Sequence, residues 1–264
     1  MPSKLAVQMY TVRDFARHSS DLAETLQKIR AIGYEAVQLS AVGAMNGATP
    51  EVDAKQARKM LDDNGLRCIA THRSWNDLAA RTEQEIEFHQ TLNCDFTAIG
   101  SIPGEYGEQG EAGFYRFIED SAPVIANLRA AGIGFGYHNH AFEFMRIGPG
   151  QRTLYDIFIE SPNPDLLLEL DVYWADHAGV NPVRLFERCP GRMPVIHLKD
   201  KEITREGQPV MAPIGEGNLD WEGILPACRV AGVAWYAIEQ DECRRDPFDC
   251  LRSSYEFLTA ALDD

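Results

Sequence analysis

The sequence predicts an α/β fold, a closed (β/α)₈ barrel, and three observations lead there. Short apolar runs alternate with helical patterns eight times along the chain. The runs are mostly continuous rather than alternating, as expected of parallel strands buried on both faces. The length, 264 residues, suits one barrel, since such folds run to about 250 residues. An open dinucleotide-binding sheet would want GxGxxG after the first strand, and Thr11–Val12–Arg13–Asp14 stands there instead. No low-complexity linker or composition break divides residues 1–264, so one domain is expected.

Taken in order, the first strand is expected at Leu5–Tyr10, and Asp21 caps a helix to about Ala31, with Gly33 just past its end. The second strand is Ala36–Leu39, and its helix runs from about Pro50 to Asp63, stopping at Asn64–Gly65. Cys68–Thr71 pairs with a helix from about Thr82 to Leu92, and Phe96–Ile99 with a long helix from about Gly113 to Ala131. Gly134–His138 precedes a short helix around Leu154–Glu160, and Leu166–Val172 precedes one from about Pro182 to Arg188. The last two units are Val195–Leu198 with a helix from about Trp221 to Val230, and Trp235–Ile238 with one from about Pro247 to Leu262. Glu202–Leu219 is expected to be irregular and to carry a substrate loop, because it follows the seventh strand.

Composition narrows the function classes. Lys and Arg number 25 against 40 Asp and Glu, a formal charge of −15. Binding to phosphate backbones or anionic membrane surfaces draws on clustered cations, so neither nucleic acid nor membrane is expected as a partner. No apolar run nears the roughly 18 residues of a membrane span. The opening MPSKLAVQMYTV lacks the layout of a signal peptide, so a soluble, cytoplasmic protein is expected. Cys68, Cys94, Cys189, Cys228, Cys243 and Cys250 form no CxxC pair and no zinc-finger spacing, and read as buried or half-buried thiols.

In a barrel, chemistry lies at the carboxyl ends of the strands, where the loops converge. The third strand ends in Thr71–His72–Arg73, the fifth in His138–Asn139–His140 with Glu143 beyond, and the sixth carries Glu169 and Asp171. The seventh reads His197–Leu198–Lys199–Asp200 and the eighth ends in Glu239–Gln240–Asp241. Carboxylates gathered on one axis raise each other's pKa, and a divalent cation removes that repulsion. Glu143, Asp171, His197 and Glu239 are the candidate ligands, an oxygen-rich set that suits Mn²⁺, Mg²⁺ or Co²⁺, with Zn²⁺ or Fe²⁺ as further options. Of Glu169 and Asp171 one is expected to face the axis. Asp171 is assigned inward, with Glu169 deeper in a packing or salt-bridge role. Of His138 and His140 at most one is expected at the site, and His140, nearer the strand end, is favoured. Lys199 shares the face of His197 and is expected to bind a substrate oxygen or to pair with Glu239 or Asp171. His72 is a candidate for a substrate hydroxyl, Glu216 for a loop that closes over the substrate, and Trp75 for the rim. Their plainer roles are packing, a solvent-facing turn and a surface aromatic.

At this point the chain resembles the xylose isomerase-like barrel superfamily, in its sugar phosphate isomerase/epimerase branch. The resemblance covers nearly the whole chain and rests on ordered blocks. They include Val7–Gln8–Met9–Tyr10–Thr11–Val12–Arg13, Tyr137–His138–Asn139–His140–Ala141–Phe142–Glu143–Phe144 and Leu170–Asp171–Val172–Tyr173–Trp174. Gly33–Tyr34–Glu35–Ala36–Val37–Gln38–Leu39, His197–Leu198–Lys199–Asp200, Gly215–Glu216–Gly217–Asn218–Leu219–Asp220–Trp221 and Ile238–Glu239 complete the set. The resemblance implies one metal held by Glu143, Asp171, His197 and Glu239. It also implies that Glu143 and Glu239 take and return a proton beside a carbonyl, through an enediolate. The family's epimerases carry a substrate-binding His where Trp174 stands here, and its multi-zinc DNA-repair endonucleases use a His there as a ligand. Trp174 thus argues for one metal and, with the charge, against DNA repair; it offers a sugar an aromatic face and one N–H. No phosphate-binding turn stands out, so an unphosphorylated sugar, keto-sugar or inositol derivative is expected as the small-molecule partner; a homodimer or homotetramer is the assembly that would be expected. The expected activity is a sugar isomerase or epimerase. A lyase or dehydratase acting on a keto-sugar, keto-glycoside or inosose is the rival enzyme reading, and a non-catalytic sugar-binding barrel is the third.

Overall fold

The computed structural model describes residues 4–263. Its strands are β1 (Leu5–Gln8), β2 (Ala36–Leu39), β3 (Arg67–His72), β4 (Phe96–Ile99), β5 (Gly134–His138), β6 (Leu166–Glu169), β7 (Val195–Leu198), β8 (Asp200–Ile203), β9 (Pro209–Ala212) and β10 (Trp235–Ile238). Eight of them form one parallel sheet in the order β6-β5-β4-β3-β2-β1-β10-β7. The barrel is nearly closed between β6 and β7, where an isolated Asp171–His197 bridge and the 2.9 Å bond from His197 N to Leu170 O replace a ladder. Helices α1 (Ser19–Ile32), α2 (Ala54–Asp63), α3 (Trp75–Ala80), α4 (Thr82–Leu92), α5 (Gly104–Gly107), α6 (Gly110–Ala130), α7 (Leu154–Ile159), α8 (Val172–His177), α9 (Pro182–Arg188), α10 (Trp221–Ala231) and α11 (Pro247–Asp263) stand between and after the strands. No helix among the described residues is long and apolar enough to cross a membrane.

The strand rows explain where polarity can sit. Residues two apart on a strand share a face. Leu5, Val7, Val37 and Leu39 point outward into the main core beneath the helices. The inward rows begin apolar, with Ala6, Ala36, Ala70, Phe96, Ala98, Val195 and Ala237 in a separate small cluster inside the barrel. Phe96 fills that interior against Gly136, where any Cβ would lie 2.5 Å from the ring. The same rows end in Gln8, Gln38, His72, His138, Glu169 and His197, and all polarity is therefore gathered at the carboxyl end.

Several expected boundaries move, each for a local reason. The first strand stops at Gln8, because the Gln8 amide oxygen accepts the Tyr10 N–H at 2.7 Å and starts a 3₁₀ segment over Met9–Phe15. The sixth stops at Glu169, because Asp171 caps α8 by accepting the Trp174 N–H at 3.1 Å. Trp75 is buried rather than rim-lining: it starts α3 and packs edge-on against Phe117, with ring centroids 5.0 Å apart. The segment expected to be irregular contains the antiparallel hairpin β8–β9. Asp200 pins that segment: its buried carboxylate accepts N–H bonds from Lys201, Gly215, Gly217 and Leu219 and from the Trp221 indole. Any side chain at Gly217 would collide with Asp200. All six cysteines are free thiols, five buried and Cys243 half-buried.

Candidate active site

Three strand ends deliver one ligand atom each to a common point. The free donor atoms of Asp171, His197 and Glu239 all lie within 4.8 Å of one another. His197 Nδ1 is 2.8 Å from Glu239 Oε2 and 3.9 Å from Asp171 Oδ2. All three atoms are buried, and the two carboxylate oxygens also meet a flexible ammonium, Lys199 Nζ. Each one's twin atom is engaged elsewhere. His197 Nε2 meets Gln38 Oε1 at 2.8 Å, Glu239 Oε1 accepts from Gln8 Nε2 at 3.0 Å, and Asp171 Oδ1 caps α8. With Nε2–H donated to Gln38, the Nδ1 side of His197 faces the two carboxylate oxygens. Converging ligand atoms whose second atoms are pinned elsewhere are what a bound cation requires. These residues can hold a metal ion.

A second group, His72, His138, Glu169 and His197, also lies within that reach; there His72 and Gln38 satisfy Glu169, while His138 Nδ1, 3.6 Å from Glu169 Oε2, makes no hydrogen bond among the described residues. His72 Nε2 is 2.5 Å from Glu169 Oε2, and Gln38 Nε2 donates to Glu169 Oε1 at 2.8 Å across the full width of the barrel. That layer is the support beneath the trio rather than a rival to it.

The electrostatics follow from burial and neighbours. Burial would raise the Glu239 carboxyl, yet Lys199 and His197 hold it well below its ordinary range. Burial opposes charge on His197, but Glu169 and Glu239 raise it to about 10. Glu169, flanked by His197 and His72, falls to about 2 against its own burial. Lys199 Nζ sits 3.0 Å from Asp171 Oδ2, 2.8 Å from Glu239 Oε2 and 2.9 Å from Asp241 Oδ1, and those carboxylates raise it above the usual lysine range despite burial. Glu143 goes the other way: burial lifts it to about 7.

Of the expected site residues, the structure brings Asp171, His197, Glu239 and Lys199 into direct contact. Glu143 stands apart from that contact set, on a 3₁₀ turn after β5. One of its oxygens accepts from Tyr137 Oη at 2.7 Å and the other from His140 N at 2.8 Å. His72 belongs to the supporting layer. The expectation that only one of Glu169 and Asp171 faces the axis is corrected: two residues apart, they share a face, and both point inward. The same correction applies to His138 and His140, whose rings are neighbours 5.0 Å apart. His138 is buried inside the barrel, while His140 packs 5.5 Å from the Trp174 ring. His140 Nδ1 and Trp174 Nε1 are buried atoms without a partner among the described residues. Glu216 is not drawn in; it is exposed and bonds Arg245 and Ser253.

Sequence reading missed Gln8, Gln38, Asn139 and Asp241. Asn139 is fully buried and holds the Asp171 backbone from both sides, accepting its N–H at 3.0 Å and donating to its carbonyl at 3.4 Å. For Gln8 and Gln38 the available signal was an amide inside an otherwise apolar strand, which must find partners when buried. A surface cavity of about 380 Å³ lies at the opposite end of the barrel around Arg67, Asn93 and Trp235. It gathers no such convergent set.

A parallel barrel with its ionisable residues at the carboxyl ends of the strands is the layout of barrel enzymes. The chain belongs to the xylose isomerase-like TIM barrel family, whose sequence pattern matches residues 26–260. Its fold is similar to that of a sugar phosphate isomerase/epimerase from Parabacteroides distasonis, at 23% identity and a TM-score of 0.82 over 99% of this chain and 95% of that one. It is also similar to an L-ribulose 3-epimerase, at 14% identity and TM-score 0.71 over 99% and 95%. A probable 3-DHS dehydratase from Bacillus anthracis matches at 15% identity and TM-score 0.71 over 97% and 99%.

Proposed function

We propose that this protein is a divalent-metal-dependent sugar isomerase or epimerase that moves a proton at the carbon next to a carbonyl. The observation that carries the proposal is the convergence of Asp171 Oδ2, His197 Nδ1 and Glu239 Oε2, three buried atoms within 4.8 Å of one another. Mn²⁺, Mg²⁺ or Co²⁺ fits two carboxylates and one imidazole, with Zn²⁺ or Fe²⁺ as further options. When bound, the ion polarises the substrate's carbonyl and hydroxyl oxygens and makes the neighbouring C–H acidic.

The chain's own residues then divide the proton work. Two carboxyl groups whose pKa values are driven apart make a natural base and acid. Glu239, a carboxylate at the ion position, removes the proton. Glu143, with a carboxyl near 7, gives one back. Unpartnered Trp174 Nε1 and His140 Nδ1 are left to bind sugar hydroxyls, with the indole face against C–H groups. Lys199 donates to a substrate oxygen. The preferred substrate is an unphosphorylated keto-sugar or a relative of one.

The Lys199 ammonium also supports a second reading, loss of a β-hydroxyl as water, because it offers a donor to a departing oxygen. Both start from the same deprotonation, so one experiment serves. Neutral ketoses are incubated with the Mn²⁺-loaded protein in D₂O and read by NMR and mass spectrometry. Deuterium at the carbon beside the carbonyl in an isomer of the substrate is expected. A dehydrated product selects the second reading, and no exchange with any ketose overturns both. Glu143→Gln should slow exchange by about 10²–10⁴ while leaving Mn²⁺ affinity within a few-fold.

A further inference from the structure

Lys199 shares two of its three partners with the ion site. Asp171 Oδ2 and Glu239 Oε2 belong to the convergent trio, and the Lys199 ammonium lies 3.0 and 2.8 Å from them. Its third partner, Asp241 Oδ1 at 2.9 Å, is not part of that trio. Asp241 is itself fixed through its backbone: its carbonyl accepts from Arg13 Nη1 at 3.0 Å, and its N–H meets Met211 Sδ on β9 at 3.2 Å. A divalent ion and an ammonium drawing on the same two oxygens repel each other. The lysine stem is long and flexible enough for the ammonium to give way. The face it can turn to is Trp174, whose ring centre is 5.8 Å from Nζ.

We propose that Lys199 and the divalent ion compete for Asp171 Oδ2 and Glu239 Oε2, and that Asp241 is the positioning residue that retains the ammonium when the ion takes them. The inference rests on the ion site assigned above. It makes Asp241 the residue that converts Lys199 from a three-carboxylate counter-ion into a single-partner donor facing the substrate side. Loading the ion and arming the lysine become one event.

The test is a double-mutant cycle on Mn²⁺ affinity, measured by titration calorimetry without substrate. Removing the competitor in Lys199→Met should tighten Mn²⁺ binding by about tenfold or more, and Asp241→Asn should weaken it by about tenfold. In the Lys199→Met background, Asp241→Asn should change affinity by less than about twofold, because the residue it acts through is gone. Lys199→Gln, whose amide can still donate to the carboxylates, is the second neutral variant should the methionine fail to fold, and it should tighten binding in the same direction. Equal weakening by Asp241→Asn in both backgrounds would mean that Asp241 acts on the ion through space, and would overturn the inference while leaving the ion site standing. So would a neutral residue at 199 that fails to tighten binding. No Mn²⁺ binding by the wild-type protein would remove the ion site and this inference with it.

Discussion

Each atom aimed at the ion position owes its freedom to a bond made by its twin. Gln38 takes His197 Nε2–H, so Nδ1 faces the ion position; Gln8 takes Glu239 Oε1, so Oε2 faces it too. Such outer partners fix tautomer and orientation, and their loss ordinarily lowers metal affinity about 10–100-fold. Gln38→Leu should therefore weaken Mn²⁺ binding by roughly that factor in calorimetry with the fold intact by circular dichroism, whereas unchanged affinity would mean that the His197 orientation is set elsewhere. At this scale the sequence was legible where a residue type announces chemistry at a strand end: Asp171, His197, Glu239 and Lys199. It was opaque for Gln8 and Gln38, because an amide in an apolar run carries no charge signal and gains its meaning only from the partner across the barrel. Glu143 was named for its type, but its carboxyl is turned to Tyr137 and His140, a contact that depends on how the chain leaves β5.

At the scale of elements, the alternation of strand and helix was legible because parallel strands buried on both faces are apolar and their helices are capped and stopped by local signals. The inward register was harder to read. Small residues such as Ala36 and Ala237 line the interior, so the row that later turns polar does not stand out from the outward one. The hairpin β8–β9 and the short helix α8 were illegible because their ends depend on tertiary bonds to Asp200 and on the cap at Asp171. The β3–α4 contact carries a pH signature of its own. His89 on α4 is buried; its Nδ1 donates to Glu85 O at 2.6 Å and its Nε2 accepts from Thr71 Oγ1 on β3 at 2.7 Å. Burial lowers its pKa. Below the unfolded value of about 6.5 the unfolded chain takes up a proton that the native ring refuses, so this contribution is present above that pH and lost as pH falls through it. In urea titrations, His89→Gln should show a shallower loss of stability than wild type between about pH 7 and pH 5. Equal slopes would mean that His89 does not titrate on unfolding.

Across the whole molecule, a formal charge of −15 surrounds a site whose acids converge on one cation position. The field of the protein thus favours cation capture and disfavours polyanionic partners. The barrel supplies the rest: an apolar lower interior, a hydrogen-bonded layer of Gln38, His72 and Glu169, and above it the Asp171–His197–Glu239 point. The most direct measurement is the anomalous difference density of a crystal grown with Mn²⁺. The expected result is one strong peak within about 2.3 Å of Asp171 Oδ2, His197 Nδ1 and Glu239 Oε2. A map with no peak there, or with the ion lodged among His72, His138 and Glu169 instead, would contradict it.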